Sequence, residues 1–311
     1  MPPMSTRLLA VALATLLLGG ACSQRPAGPS DPLSEDAVTA DDAVRASGAR
    51  AAARRFVDAY ARAPEAGVDP LEDLVRTPLL KGWVHWLGVQ NHELRGKLSG
   101  DAGEIQIGPA VPFEVESVPG SSQILREVDV RGSVIFSVEP VDDDPFTVTR
   151  AFDGPMRLIR ERDGSWTVLD FTRDQVPLSR QFELVDGVEA ANEDVHVSIA
   201  CFFAAPVWQF GLEVTAGRAV SITRHGTTLL DANGEVVTAA QTVTRSLQRI
   251  AAGASIEGLV TLPVQPSADG LVLRIDLSSQ SGEDAVLEIP LTGRIHPIAF
   301  ATSSPSASAS P

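Results

Sequence analysis

The chain has 311 residues, 44% of them hydrophobic, and a formal net charge of −15. This length and apolar content are sufficient for two domains of ordinary size that rest on packed cores. The sequence has no basic patch of the kind that binds a phosphate backbone, which argues against a nucleic-acid partner. Only two cysteines are present, Cys22 and Cys201, so at most one intramolecular disulfide could form.

Residues 1–21 have the features of an export signal. Arg7 precedes residues 8–18, which are uncharged, and three small residues at 19–21 then lead to Cys22. The run is shorter than the ~20 apolar residues that a membrane-spanning helix needs. It fits the apolar core of a cleavable signal peptide, which predicts that the mature chain is exported.

The segment "LLLGGACSQ" at 16–24 resembles the lipobox of bacterial lipoproteins, although Leu18 lies one place early and Gly19 replaces an aliphatic residue. The resemblance implies a diacylglyceryl group on Cys22, cleavage just before it and acylation of the new amino terminus. It therefore implies a chain anchored to a lipid bilayer, on the extracytoplasmic face of the cell membrane. Cys201 would then have no disulfide partner. The alternative is a plain secretory signal with an incidental cysteine.

Two segments are predicted to lack structure. Residues 22–40 are rich in proline and polar residues and would form a tether between the lipid and the first domain. Residues 297–311 form a tail that ends in a Ser, Ala and Pro repeat. Only two of the 25 basic residues are lysine, and Ala, Gly and Pro are abundant, a composition associated with GC-rich coding such as that of actinobacteria.

The first domain, predicted over 41–187, begins with a helix at 41–63 that Pro64 and Gly67 should end. Apolar residues recur at helical spacing along one face of this helix: Ala49, Ala53, Phe56, Val57 and Tyr60. Five arginines lie on its other faces, at positions 45, 50, 54, 55 and 62. They are either a solvated surface or a contact with anionic lipid headgroups.

A second helical region follows, with Thr77 as N-cap and Pro78 at the first helical position. Trp83 and Trp86 lie three residues apart, a pattern that suits either ligand stacking or core packing. His85 and His92 are separated by about 10.5 Å of helical rise, which is too far for both to ligate one metal ion on a regular helix.

From about residue 103 the hydrophobic period changes to two, which predicts antiparallel strands. A long strand is expected at 124–138, and shorter ones at 112–118, 145–152, 155–161 and 165–171. The sequence "ERDGSW" at 161–166 predicts a hairpin turn between the last two strands. Helices followed by a strand meander indicate an α+β fold, with the helices packed on one face of a curved sheet.

The paired helices and the final hairpin "RLIRERDGSWTVLDF" at 157–171 resemble the nuclear-transport-factor-two-like cone fold, which includes ketosteroid isomerases. That resemblance implies a conical pocket between helices and sheet, in which Tyr60 and Asp170 could form an isomerase-like hydrogen-bonding pair. Trp83 and Trp86 are the other candidate pocket residues. In the simpler alternative all four make ordinary packing and hydrogen-bond contacts. An open cavity would favour a pocket, whereas a cone filled by Trp83 or Trp86 would favour an interaction module.

The acidic turn "VDDDP" at 141–145 could bind calcium, but it lacks the usual alternating ligand order, so a solvated turn is the main interpretation. No zinc pattern or other metal site is found in the sequence.

The second domain, predicted over 192–296, is β throughout, and "VEAANED" at 188–194 is the expected boundary. Alternation places Val195, Val197, Ile199, Cys201 and Phe203 on one strand face, which predicts a buried, unreactive Cys201. Regular strands with turns such as "LDANGEVV" at 230–237 predict a β-sandwich. The stretch "RIAAGASIEGLVTLPV" at 249–264 resembles an element of immunoglobulin-like domains of bacterial lipoproteins, although the antibody-type Cys, Trp, Cys spacing is absent.

No phosphate loop, nucleophile elbow or other catalytic motif is found, so no catalytic residue and no cofactor is predicted. The first functional hypothesis is a non-enzymatic, membrane-anchored lipoprotein that binds another envelope protein or a small ligand. The alternative is a carrier of lipophilic ligands, or an isomerase-like enzyme, that uses the cone pocket of residues 41–187. A simple envelope spacer is a third possibility.

Overall fold

The computed structural model describes residues 40–93, 96–113, 124–140, 144–204, 208–263, 270–279 and 284–291. The predicted signal peptide, Cys22, nearly all of the tether and the tail at 297–311 lie outside these residues. So do most of the strand predicted at 112–118 and three residues of the acidic turn, 141–143.

Three helices precede the first sheet: α1 (Ala40–Ala66), α2 (Asp69–Glu72) and α3 (Pro78–Glu93). Helix α1 continues past Pro64, because a proline in the last turn removes only one helical hydrogen bond before the helix ends. The Thr77 hydroxyl accepts the Leu80 N–H at 3.2 Å, which confirms the predicted cap of α3. No helix of the described part is both long and apolar enough to cross a membrane.

The first sheet is antiparallel and contains six strands: β1 (Gly96–Ala102), β2 (Gln106–Pro112), β3 (Leu125–Pro140), β4 (Phe146–Arg160), β5 (Trp166–Arg173) and β6 (Val176–Pro177). Their order is β1-β3-β4-β5-β6, and β2 also pairs with β3. The two strands predicted at 145–152 and 155–161 are one continuous strand, β4. Pro155 is tolerated inside it because the ladder with β5 is interrupted between Phe152 and Met156.

Helix α1 covers one face of this sheet with the apolar residues that its periodicity predicted. Ala49, Ala53, Phe56 and Val57 are fully buried and Tyr60 nearly so. Two of the arginines predicted on its other faces bind main-chain oxygens of the neighbouring strand segment: Arg54 donates to Ile105 at 2.6 Å and Arg50 to Ile107 at 3.2 Å. Ile107 borders an irregularity in the pairing of β2 with β3, and Ile105 lies just before β2.

After a short 3-10 helix (Leu178–Arg180), the remaining elements are β7 (Phe182–Leu184), β8 (Glu189–Ala191), β9 (Val195–Phe203), β10 (Trp208–Ala216), β11 (Val220–Leu230), β12 (Val236–Ala239), β13 (Thr242–Val243), α4 (Arg245–Gln248), β14 (Ala254–Leu262), β15 (Val272–Ser279) and β16 (Ala285–Pro290). They form a second sheet of order β13-β14-β10-β9-β7, to which β8 adds on β9, and a third of order β12-β11-β15-β16. Two strands of the second sheet, β7 and β8, precede residue 192, where the second domain was predicted to begin. Strand β7 lies within the range predicted for the first domain, 41–187.

A core of buried apolar residues joins the second and third sheets, and it includes Val197, Leu212 and Leu273. The described chain is therefore predominantly antiparallel β-sheet, with four α-helices in its described part.

The prediction that five residues of β9 share one face is wrong. Val195, Val197 and Ile199 belong to the core of the second and third sheets, whereas Cys201 and Phe203 belong to the core around the helices. The reason is a β-bulge: Ile199 pairs with Leu212 and Cys201 pairs with Gly211, so one extra residue reverses the direction of the side chains that follow.

Candidate functional site: a cleft between helix α3 and the second sheet

Tyr60 and Trp83, two of the predicted pocket residues, lie together in a buried aromatic cluster between the helices and the first sheet. Their ring centroids are 5.7 Å apart. Tyr60 makes edge contacts with Phe136 and Phe152, and Trp83 makes one with Phe171. Both residues are at most 2% exposed. Aromatic side chains therefore fill the space in which the cone resemblance implies a pocket.

Trp86 lies on the other side of α3, against the second sheet. A Cβ placed on Gly211 of β10 would come within 2.8 Å of the Trp86 ring and would collide with the Cys201 sulfur. Gly211 is therefore required for the close approach of the ring to the strand. Trp86 is 2% exposed, so it packs between two structural layers and is not available for ligand stacking.

Asp170 and Tyr60 have different hydrogen-bond partners. Its carboxylate accepts the Ser179 hydroxyl at 2.7 Å and the main-chain N–H groups of Ser179 and Phe171. Tyr60 instead accepts from Arg173 at 3.4 Å. The pair proposed from the isomerase resemblance is thus not a hydrogen-bonded pair in this structure.

Tyr60 borders a buried polar cluster that the sequence reading missed. Arg173 donates to Gln181 at 3.1 Å, and Arg150 donates to Asp174 at 3.0 Å. Burial, followed by repulsion from Arg173, lowers the pKa of Arg150 to about 10, which still leaves it charged at neutral pH. These groups fix the end of β5 and the turn after it, because hydrogen bonds join Arg150 to Asp174 and Arg173 to Gln181. The buried Arg173 Nε has no hydrogen-bond partner among the described residues.

An open cleft of about 680 Å³ lies between α3 and the second sheet. Its lining comes from helix α3, from strands β10 and β14, from α4 and from the segment before α2. The residues that line it are Val68, His85, Gly88, Val89, His92, Glu93, Glu213, Ser246, Ser255, Ile256 and Glu257. Its volume is in the range of small-molecule sites.

Polar contacts hold α3 against the second sheet at this cleft. His85 Nε2 lies 2.8 Å from Glu257 Oε1, and Gln90 donates to Gln209 at 2.7 Å. The Glu93 carboxylate accepts the main-chain N–H groups of Arg245 at 2.9 Å and Ser246 at 3.3 Å. Glu93 therefore caps the amino terminus of α4, a helix more than 150 residues later in the chain.

Sequence reasoning did not identify the cleft. In the sequence, His85 and His92 are candidates only as metal ligands, and no motif marks Glu93, Glu213 or Glu257. The alternation of polar and apolar residues on β10 and β14 was a signal that these acids lie on one sheet face. Their apposition to α3 had no local signal, because it depends on contacts between distant segments.

Cys201 is fully buried and free. Burial raises the pKa of its thiol well above the ordinary value, and the nearby Glu213 and Glu257 act in the same direction. A thiol in this environment stays protonated and unreactive at neutral pH. In the described part of the chain, no group of three or more His, Cys, Asp and Glu side chains is arranged to hold a metal ion.

Comparison of the chain with protein-family models, with curated proteins and with solved structures gives no match.

Proposed function

We propose that this protein is an exported lipoprotein, anchored to the extracytoplasmic face of the cell membrane through acylated Cys22, that binds an envelope protein or a small ligand and catalyses no reaction. The anchoring part rests on the lipobox-like segment at 16–24. The binding part rests on one structural observation: the open cleft lies between α3 and the second sheet, while aromatic rings fill the interior of the first unit.

The finer fold assignments belong to the same proposal. A six-stranded antiparallel sheet with α1 on one face is consistent with a nuclear-transport-factor-two-like cone. Two antiparallel sheets around a common core are consistent with an immunoglobulin-like sandwich. The filled interior supports an interaction module rather than a lipophilic carrier or an isomerase-like enzyme, because such a ligand would have to displace Tyr60 and Trp83.

Membrane fractionation of a Cys22→Ala variant tests the anchor. We expect the variant to leave the membrane fraction, because the acyl chains can be attached only to this thiol. Cys201→Ala is the matched control and should stay in the membrane fraction, since Cys201 is buried in the fold. Retention of the Cys22→Ala protein in the membrane would refute the anchor.

A photo-crosslinking residue in the cleft tests the binding site. Ser255 is exposed and lines the cleft, whereas Glu288 is exposed on β16, away from it. In native membranes we expect an adduct from position 255 and none from position 288. Equal adduct yields at the two positions would contradict a specific role for the cleft.

A further inference from the structure

Two glutamates face each other on the sheet wall of the cleft. The ladder between β10 and β14 pairs Glu213 directly with Glu257. Directly opposite residues of an antiparallel pair have Cβ atoms about 4.5–5.5 Å apart, and like charges at this distance destabilise a sheet. The pairing is therefore unfavourable for the fold unless a positive charge balances it.

Only some of these carboxylates have a hydrogen-bond partner in the described part of the chain. His85 contacts Glu257, and the third carboxylate, Glu93, is bound by main-chain N–H groups of α4. Glu213 is exposed, and no described residue forms an ion pair or a hydrogen bond with its carboxylate. None of the residues that line the cleft is lysine or arginine.

The cleft also offers apolar surface. Val68 and Val89 line it, and Val68 packs closely over Gly88, where an added Cβ would lie 3.2 Å from the valine side chain. A ligand that matches these walls has a positively charged group for Glu213 and Glu257 and a short aliphatic chain for the valines. The volume of about 680 Å³ suits a small molecule more closely than a folded partner.

We propose that the cleft binds a small aliphatic ammonium ion of the diamine or polyamine class, with Glu213 and Glu257 as its charge partners. This inference rests on the proposed function of a binding protein and specifies the ligand of the same cleft. A hard divalent cation fits less well, because it needs six or more oxygen ligands and the described residues contain no arrangement of that kind.

Titration calorimetry of the full acylated chain in detergent, with spermidine as the probe, tests the proposal. We expect saturable binding and an affinity at least tenfold lower in Glu213→Gln. Glu189→Gln is the matched control, because Glu189 is, like Glu213, an exposed glutamate on a strand, but it lies outside the cleft. Its affinity should stay within twofold of the wild type. The thermal midpoint of Glu213→Gln should be unchanged or raised, which separates lost binding from unfolding.

Three outcomes would overturn the proposal: no spermidine binding by the wild-type chain, whether or not oligolysine binds; equal loss in the Glu189→Gln control; or displacement of spermidine by equimolar Ca²⁺. The second outcome would indicate diffuse attraction to a chain of net charge −15. None of these results affects membrane fractionation or crosslinking at position 255. These experiments therefore distinguish an error in the proposed ligand class from an error in the proposed function.

Discussion

Cys201 illustrates how a single extra residue in a strand determines the surroundings of a side chain. The bulge opposite Gly211 turns Cys201 away from the core of the second and third sheets and towards Trp86 of α3. The sequence predicted correctly that the thiol is buried. It assigned the wrong face, because an uninterrupted apolar run gives no signal for a bulge.

We expect the Cys201 thiol to make the free energy of unfolding fall as the pH rises in the alkaline range. The folded thiol keeps its proton, while the unfolded thiol loses it above the ordinary pKa of about 8.5. The native state then binds more protons than the unfolded state, so stability falls as pH rises, by up to about 1.4 kcal/mol per pH unit. Below about pH 8 this contribution is constant.

Urea unfolding between pH 7 and 10 measures this effect. The Cys201→Ala variant should show a shallower decline in the free energy of unfolding with pH. Only this slope is compared, because lost packing also lowers the stability of the variant at pH 7. Cys22→Ala should retain the wild-type slope. Identical slopes in the wild type and Cys201→Ala would contradict a raised thiol pKa.

At the scale of elements, the turn between β5 and β6 departs from what its sequence suggests. Asp174 and Gln175 both have left-handed backbone conformations, with φ of 53° and 66°, although neither is glycine. Asp174 is held by Arg150 and by the Ala151 N–H, which it accepts at 3.2 Å. The hairpins predicted at 161–166 and 230–237 contain glycines with positive φ, Gly164 and Gly234, as their sequences indicated.

We expect Gln175→Gly to stabilise the protein by about 0.5–1 kcal/mol. The side chain of Gln175 is exposed, and a non-glycine residue pays a steric cost in the left-handed region. Thermal unfolding of the variant measures the gain. Asp174→Gly is the paired comparison and should destabilise the protein, because it removes the partner of Arg150. Destabilisation by Gln175→Gly would show that this turn is not strained.

At the scale of the whole molecule, α3 connects the two halves of the chain. Its Trp83 packs with the aromatic cluster of the first unit, while Trp86 packs on Gly211 of the second sheet. Cys201, Phe203 and Leu259 of the second sheet belong to the same apolar core as the helices. The two halves thus share buried surface, and we expect them to unfold together.

Calorimetry should show one cooperative transition for the wild-type protein. Trp86→Ala should separate it into two, because loss of a buried tryptophan typically costs 3–5 kcal/mol and here that loss falls on the shared surface. Trp208→Ala is a control within the core of the second and third sheets, and should lower the midpoint while keeping one transition. Two resolved transitions in the wild type would contradict this coupling.

The sequence by itself determined the positions of α1, α3, β3 and β5, because hydrophobic period, N-caps and turn glycines act over a few residues. It also determined the buried face of α1. Only the tertiary structure decided the bulge in β9, the filling of the first unit by Tyr60 and Trp83, and the pairing of Glu213 with Glu257. These features depend on strand register and on packing between different elements, and such contacts leave no local pattern in the sequence.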